Sequence, residues 1–393
     1  MKRILFVHHV SVIGGASYCM LNLLKNIDRQ KVEPVVLLAK EGPLADEIQK
    51  LNIEVLYIRG LTCIPYNKSL LDVRTIQTYL HIQKIVPIFK ALLIHKKIDV
   101  VYLNNVMLYP YLKPSKECNI KTVIHIREHW PEKEHRKQLN KLREHIKLYA
   151  DHIIAINQYG ANLVPNTTTK TSIVYDWIDF SDRYEKRPFN DIFKEDTSRL
   201  KIFVFTGGNS KWKGAAEVVE VFHKRIKNAD CRLLIVGTDG RFPYVGFVGK
   251  VKKLLSFCGY VTYEKTFVSN VNADKRIVCI PATYKLKDIF TQSYAMLSFF
   301  TIPHANLALA EAITLGLPCV AAKTEESMEY TKNGVGAKLF QLNDKRDFEK
   351  KILELMDNYE EQKEKTLSIS NEIKKKFDKN ENIKVFNDII NSI

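Results

Sequence analysis

The sequence lacks several features that define particular classes of protein. Its seven cysteines are an odd number without a Cys-x-x-Cys pair, so reduced thiols in a cytosolic setting are favoured over a disulfide framework. No apolar run reaches the ~18 residues of a membrane span. No residue cluster has the spacing of a metal site, and no Asp-x-Asp triplet is present to hold a divalent ion. We therefore expect a cytoplasmic protein without a transmembrane helix or a bound metal.

The amino-terminal segment MKRILFVHHVSVIGG superficially resembles a secretion signal, because two basic residues precede an apolar run. His8 and His9 interrupt that run, and no small-residue cleavage site follows it. We expect this segment to begin with a buried strand.

Length and charge indicate the number of domains and the kind of partner. A chain of 393 residues with 46% hydrophobic residues can bury two cores, so two domains of about 180 to 200 residues are expected. The net charge of +16 favours anionic partners, which include nucleotides, phospholipid surfaces and nucleic acid. No recognisable nucleic-acid-binding motif accompanies the charge, so we expect no nucleic acid partner.

Short apolar runs alternate with helical patterns in both halves of the chain, which predicts parallel βα units and an α/β fold. The charged segment Ser181 to Ser198 has little apolar periodicity and predicts a linker. We therefore place the domains at residues 1–180 and 181–380. The predicted strands include Ile4–His8, Val35–Ala39, Val55–Ile58, Val100–Leu103, Val123–Ile126, Ile153–Ile156, Lys201–Thr206, Leu233–Gly237, Ile277–Ile280, Ala295–Phe300 and Leu317–Ala322.

The stretch 295–340 carries the most informative pattern. A buried strand at Ala295–Phe300 is followed by a polar turn and a helical pattern from Leu307 to Leu315, with Asn306 as its cap. The free amides around His304 to Leu307 are suited to a phosphate, and Glu311 one turn further is suited to a ribose. The alternative is that Glu311 lies on the solvent face of an ordinary helix.

This stretch resembles the signature region of retaining glycosyltransferases with the GT-B fold, specifically glycosyltransferase family 4. Glu311-Ala312, Gly316-Leu317-Pro318 and Glu329 fall on the family pattern. Other positions depart from it: Pro303 replaces the first of two glutamates, His304 and Asn306 replace loop glycines, and Glu325-Glu326 replaces a later Gly-Gly. The resemblance implies two doubly wound Rossmann-like domains facing each other across a cleft, with the last helix, 381–393, packing back on the first domain.

The loop after the strand Lys201–Thr206 belongs to the same resemblance. The family has Gly-Arg followed by Lys-Gly, and its arginine and lysine contact the donor phosphates; here Gly207 and Lys213-Gly214 match, while Gly208 stands at the arginine position. Lys211 is a candidate for the missing positive charge. The alternative for Lys213 is an ordinary solvated surface lysine.

In the first domain the resemblance assigns Gly14 and Gly15 to the border of the donor diphosphate and His125 to the active site. A tight turn needs the same two glycines, and a histidine at the end of a strand commonly makes a structural hydrogen bond. The segment 173–179 resembles an Asn-Gly-Val-Asp element of the family, with Asp176 and Trp177 in place of Asn-Gly.

The resemblance implies metal-independent transfer of a sugar, with retention, from a nucleotide-diphospho donor to a glycan or lipid-linked acceptor in cell-surface polysaccharide synthesis. The nucleotide sugar is a substrate and no cofactor is implied. The departures at Gly208 and Pro303 leave two alternatives, an unusual donor such as a deoxysugar or a nucleotide- or glycan-binding protein without turnover.

A second hypothesis concerns residues 83–97, where Ile85, Phe89 and Leu92 share a helical face and lysines supply positive charge. This pattern fits peripheral attachment to an anionic membrane surface or a core helix with a basic outer face.

Overall fold

The computed structural model describes residues 1–65, 72–130, 132–180, 189–241, 262–283 and 285–393. It contains two compact units, which we call the first domain (Met1–Trp177 with Asp378–Ile393) and the second domain (Ile178–Phe377). The sequence prediction put these divisions at 180/181 and 380/381. Residues 181–188 of the predicted linker lie outside the described residues.

The first domain is built on a parallel sheet of seven strands with the order β3-β2-β1-β4-β5-β6-β7. Consecutive strands run outward from β1 in one direction and from β4 in the other, so the strand order reverses between β1 and β4. The strands are β1 (Lys2–Val7), β2 (Val32–Leu38), β3 (Glu54–Tyr57), β4 (Val100–Leu103), β5 (Lys121–Ile126), β6 (His152–Ala155) and β7 (Lys170–Ile173). Its helices are α1 (Gly15–Asn26), α2 (Pro43–Gln49), α3 (Val73–His95), α4 (Leu112–Glu117), α5 (Glu132–Tyr149) and α6 (Gln158–Ala161), with a 3-10 helix at Val106–Tyr111.

The second domain has a parallel sheet of six strands with the order β10-β9-β8-β11-β12-β13, and its reversal lies between β8 and β11. The strands are β8 (Lys201–Phe205), β9 (Cys231–Val236), β10 (Ile277–Ile280), β11 (Ala295–Ser298), β12 (Cys319–Ala322) and β13 (Ala337–Phe340). The helices are α7 (Phe189–Phe193), α8 (Ala215–Arg225), α9 (Tyr263–Ala273), α10 (Leu286–Phe290), α11 (Leu307–Thr314), α12 (Glu325–Tyr330), α13 (Lys345–Asp357) and α14 (Tyr359–Lys376).

Alternation along β4 shows why the first domain has helices on both faces of its sheet. Val101 and Leu103 lie in one hydrophobic core, whereas Val100 and Tyr102 lie in the core on the opposite face. All four residues are buried. A strand with apolar side chains on both faces needs cover on both, which the βα crossovers supply.

The chain's last helix, α15 (Lys379–Ser392), belongs to the first domain. Its Phe386 is fully buried, with its ring 5.8 Å from that of Tyr102 on β4. Asn382 Oδ1 accepts a hydrogen bond of 2.8 Å from the backbone N–H of Tyr175. These contacts anchor α15 to the core on one face of the sheet.

Two helical regions near the end of the second domain have clear local causes. The charged segment 344–377 is interrupted at Asn358, where φ is −122° and ψ is 40°, so it forms the two helices α13 and α14. Residues 325–330 form the short helix α12, which the sequence analysis did not predict. Its start is fixed by a capping box in which Thr324 and Ser327 bond each other's backbone N–H groups.

The prediction that Ile85, Phe89 and Leu92 form the membrane-facing side of α3 is wrong. Ile85 and Phe89 pack in the core of the first domain, and Leu92 is half-buried against the same core. Within the described residues, no helix is both long and apolar enough to span a bilayer.

Candidate functional site

In the second domain, the loops that follow β8 and β11 are joined at the point where the strand order reverses. The backbone N–H of Thr301 donates to the carbonyl of Trp212 at 3.0 Å, and the Thr301 hydroxyl donates to the same oxygen at 3.2 Å. Open α/β sheets bind ligands in the crevice at such a reversal. The structure therefore brings Lys213 and the 301–306 turn to one edge of one sheet.

Gly214 fixes the position of Lys213 at the start of α8. Its φ of +73° is left-handed, and a Cβ there would lie 2.5 Å from the carbonyl oxygen of Phe299. Lys213 is half-buried and has no ion pair or hydrogen bond with the described residues. Burial lowers the pKa of its ammonium group. A bound anion would supply the compensating charge that the described residues do not provide.

Gly208 shows why arginine is absent from the same loop. Its φ is +58°, its N–H donates to the Val236 carbonyl at 3.0 Å, and a Cβ would lie 2.7 Å from the Gly237 carbonyl oxygen. Gly207 is equally confined, since a Cβ there would lie 1.9 Å from the Phe205 ring. No side chain fits at position 208 without movement of this backbone. Lys211, two residues before Lys213, remains an exposed cation on the loop.

The amino end of α11 presents backbone donors. Asn306 Oδ1 accepts from the Leu309 N–H at 3.3 Å, and its Nδ2 donates to Ser298 Oγ at 2.8 Å, so the side chain is engaged in capping. The N–H groups of Leu307 and Ala308 have no acceptor among the described residues, as expected for a helix's first turn. Asn306 and Leu307 thus contribute backbone geometry, while His304 is exposed with its ring 5.7 Å from Phe300.

Glu311 lies one turn inside α11. Its side chain is half-buried, and burial raises the carboxyl pKa to about 7 despite the opposing influence of Lys287. Within the described part of the chain, the carboxylate accepts no hydrogen bond. It is therefore a partly desolvated acceptor available to hydroxyl donors, and it is not on a fully solvated helix face.

A cavity of about 640 Å³ opens beyond the carboxyl end of β10. Ile280, Pro281 and Ala282 line it from the strand end, and Ile289 lines it from α10. The same short helix carries Lys287, which acts electrostatically on Glu311. The cavity and Glu311 are thus connected through α10, a relation that sequence reasoning missed because it depends on the packing of α10 against α11.

Trp212 is a second feature that the sequence analysis missed. Its side chain is 62% exposed between Lys211 and Lys213, although its backbone is held by Thr301. A large aromatic so exposed on a fixed loop offers a flat surface to a ligand.

In the first domain, Gly14 and Gly15 lie at the start of α1. Gly14 has an extended backbone with φ −136° and ψ −174°, neither glycine has a positive φ, and a Cβ at either would meet nothing within 4 Å. The tight-turn alternative therefore does not account for them. The open space leaves the backbone accessible to a ligand.

His125 is fully buried at the end of β5, and desolvation holds its pKa well below the usual range. Its Nδ1 faces the Tyr102 hydroxyl and, at 3.3 Å, an Arg127 guanidinium nitrogen. Because arginine only donates, Nδ1 must accept, which places the proton of the neutral ring on Nε2. Nε2 has no partner among the described residues, and it is buried, so its N–H is not exposed to a ligand in this structure.

Arg127 is held by Asp176 in a bidentate ion pair, with Nη1 2.6 and 2.8 Å from the two carboxylate oxygens. The arginine side chain is 5% exposed. Burial alone would lower the Arg127 pKa, but the Asp176 carboxylate outweighs it and the pKa is raised. The aspartate that departs from the family's Asn-Gly element is thus the counter-charge of a buried arginine beside His125.

Further polar groups surround the ends of β1 and β4 and were missed in the sequence. His8 bonds Ser17 Oγ at 3.0 Å and Asn104 Nδ2 at 3.2 Å, and burial lowers its pKa to about 3. Glu128 accepts from the Val106 N–H, and burial raises its pKa to about 7. In the described ranges, no group of three metal-ligating side chains is present in either domain. His8 and Glu128 both take part in hydrogen bonds at these strand ends.

Comparisons with known proteins concern the family and the fold. Residues 200–358 match the family described as glycosyl transferases group 1. N-acetyl-alpha-D-glucosaminyl L-malate synthase of Bacillus anthracis is 24% identical over 207 residues, a match that spans 52% of this chain and 49% of that relative.

Solved structures extend the likeness over the whole chain. HepE of Anabaena, in complex with UDP-glucose, has a TM-score of 0.74 at 16% identity and full coverage of both chains. Sucrose-phosphate synthase from Thermosynechococcus elongatus has a TM-score of 0.72 at 12% identity, covering 100% of this chain and 99% of that one. Together these findings define a two-domain α/β protein of the GT-B fold. The whole chain therefore has the GT-B fold, and residues 200–358 match the glycosyl transferases group 1 family.

Proposed function

We propose that this protein transfers a sugar from a nucleotide-diphospho donor to a hydroxyl group of an acceptor. The observation that carries the proposal is the set of groups at the β8/β11 reversal: the unpaired, half-buried Lys213, the free amides of α11 and the desolvated carboxyl of Glu311. A cation and helix amides suit a diphosphate, while a carboxylate suits vicinal hydroxyls.

In this proposal, each part of the donor contacts one of these groups. The diphosphate lies against Lys213 and the Leu307 N–H, with Gly207 and Lys211 bordering it. The ribose hydroxyls donate to Glu311, and the nucleobase enters the cavity beyond β10, whose wall shares α10 with Lys287. Structural neighbours in complex with UDP and UDP-glucose support a nucleotide of this kind.

In the chemical step the bond between the anomeric carbon and the diphosphate oxygen breaks, and negative charge grows on the leaving diphosphate. The acceptor hydroxyl oxygen bonds to the anomeric carbon, and its proton passes to the leaving diphosphate. Lys213 and the α11 amides are positioned to stabilise that charge, and such preorganised groups contribute strongly to catalysis. Neither requires a metal ion or a cofactor. In the first domain, the family resemblance makes Gly14, Gly15 and His125 candidate contacts of the donor. Retention of the anomeric configuration rests on the family resemblance.

The acceptor in this proposal is a glycan or lipid-linked glycan used in cell-surface polysaccharide synthesis, and the protein acts at the inner membrane face as a peripheral protein. The net charge of +16 supports an anionic surface as a partner.

Donor binding and turnover are tested together on the full chain. A thermal-shift panel of UDP, GDP and dTDP with their sugars identifies the nucleotide, because a ligand at ~100 times its Kd stabilises by about 2.7 kcal/mol. Glu311→Ala should weaken binding of that nucleotide by about 10- to 100-fold, while the exposed Glu325→Ala serves as the matched control. Unchanged affinity in Glu311→Ala would remove the site assignment, and activity lost in EDTA but restored by Mn²⁺ would refute the metal-free step.

A binding protein without turnover is the second candidate, favoured by the backbone at Gly208, which leaves no room for a phosphate-binding arginine. Nucleotide binding without transfer from any donor in the panel to lipid-linked or free glycan acceptors would establish this alternative.

A further inference from the structure

Helix α3 is apolar on the side that faces away from the core as well as on the side that packs against it. Ile82, Ile85, Phe89 and Leu93 are at most 3% exposed and fill the core of the first domain. A surface helix ordinarily has polar residues on the opposite side. Here that side carries five of the chain's most exposed large apolar residues: Val73 (65%), Ile76 (43%), Leu80 (61%), Ile88 (57%) and Ile94 (66%).

These five residues share one side of the helix, which also carries Gln77, Lys84 and His95. At 100° per residue they fall within a sector of about 120°, and the 21 steps from Val73 to Ile94 extend about 32 Å. Pro87 and Ala91 are also exposed in this sector. We call the apolar residues of this surface the α3 stripe.

Charge identifies the kind of surface that suits the α3 stripe. Between Asp72 and Asp99 the sequence has no acidic residue. Arg74, Lys84 and Lys97 have no ion-pair partner in the part of the chain that the structure describes, so their charges are uncompensated. Two other lysines of this segment are neutralised, Lys90 by Glu117 and Lys96 by Glu54.

We propose that the α3 stripe lies on an anionic phospholipid surface, with its apolar residues in the acyl boundary and Arg74, Lys84 and Lys97 at the head groups. This deepens the proposed function, on which it rests for a lipid-linked acceptor. A second copy of the chain is disfavoured as the occupant, because two α3 stripes facing each other would bring together uncompensated positive charges with no acid to pair them. An anionic bilayer satisfies both the apolar residues and the charges.

Vesicle flotation of the full chain tests the inference. We expect recovery with phosphatidylcholine vesicles that contain 30% phosphatidylglycerol, much less with phosphatidylcholine alone, and release at 0.5 M salt, because Debye screening removes the electrostatic contribution. Each cation near such a surface contributes about fivefold to partitioning. The Arg74→Gln/Lys84→Gln variant should therefore bind about 25-fold more weakly, and Leu80→Gln/Ile88→Gln should bind at least tenfold more weakly.

Leu367→Gln, at an exposed leucine of α14 in the second domain, is the matched control and should float like the unchanged protein. Melting temperatures within 2 °C establish that the variants are folded. Equal recovery with neutral and anionic vesicles, no flotation at all, or flotation unaffected by the α3 variants would overturn the proposal. A dimer in sedimentation equilibrium that Leu80→Gln/Ile88→Gln dissociates, without vesicle binding, would assign the stripe to a second copy. Nucleotide binding is measured on the same variants and should not change, so failure here is distinguishable from failure of the donor site.

Discussion

Reintroducing the arginine that glycosyltransferase family 4 carries at position 208 should damage this protein instead of improving it. The perturbation begins at the β carbon. Gly208 has a φ of +58°, and a Cβ there would lie 2.7 Å from the carbonyl oxygen of Gly237. Gly237 itself has a φ of +109°, and its ideal Cβ would lie 3.3 Å from Gly208. The two glycines hold the ends of β8 and β9 against each other.

Two costs follow for Gly208→Ala. A non-glycine residue in the left-handed region costs about 1–2 kcal/mol. Relieving a backbone contact of 2.7 Å requires displacement of the neighbouring strand end, comparable to an overpacking cost of about 1–3 kcal/mol. The sum is about 2–5 kcal/mol. In a domain of about 200 residues, each kcal/mol lowers Tm by roughly 2–4 °C, so a fall of at least ~4 °C is expected.

The assay is calorimetry of the full chain, with the transition of the second domain identified by its shift with bound nucleotide. Gly14→Ala is the matched control, because a Cβ there would meet nothing within 4 Å and the backbone is extended. Its Tm should change by less than 1 °C. Gly208→Arg should be destabilised like Gly208→Ala and should bind the identified nucleotide no more tightly. A Gly208→Arg protein with unchanged Tm and tenfold tighter binding would refute the reasoning.

The remaining predictions concern charged groups. Lys213→Ala should lower turnover by ~10² or more, because the substitution removes the side-chain cation assigned to the leaving diphosphate. Lys323→Ala, at an exposed lysine, is the control. A loss of turnover below fivefold in steady-state kinetics would contradict this role of Lys213. Nucleotide affinity should rise between pH 6 and 8, because the Glu311 carboxyl, with a pKa of about 7, ionises and then accepts hydrogen bonds from the ribose hydroxyls. Isothermal titration should show a flatter pH profile for Glu311→Gln. Equal pH profiles for this variant and the unchanged protein would contradict the prediction. Asp176→Ala should lower the free energy of unfolding in urea by about 3 kcal/mol, because it leaves Arg127 buried and unpaired. The double variant Arg127→Met/Asp176→Ala should recover much of this stability. No recovery in the double variant would show that loss of the ion pair is not the cause.

In the first domain, the structure gives a physical reason for one departure from the family pattern, Asp176. Asp176 stands apart from Arg127 in sequence, yet its carboxylate is the counter-charge of that buried guanidinium. The guanidinium in turn fixes which nitrogen of His125 carries the proton. Sequence comparison with the family marks Asp176 as atypical but does not identify its partner.

Periodicity by itself determined the α/β class and most strands of this protein. Val100–Leu103 and Ile277–Ile280 have the bounds predicted for them, and the resemblance that implied the GT-B fold came from motifs around Gly316 and Lys213. These features are local: a strand buried on both faces is a continuous apolar run, and a loop that must approach another backbone needs glycine. The roles of His125, Lys213 and Glu311 were predicted in the same way and await the experiments above.

Only the tertiary structure decided which local features meet. Packing of α10 connects the cavity beyond β10 with Glu311 on α11, and strand order joins Thr301 to Trp212 across the β8/β11 reversal. It also decided which side of α3 is buried: the predicted membrane face, with Ile85 and Phe89, packs in the core, while Leu80 and Ile88 are exposed. A helix that is apolar on two sides has no periodic signal to distinguish them, because both satisfy the same spacing and only packing against the sheet selects one.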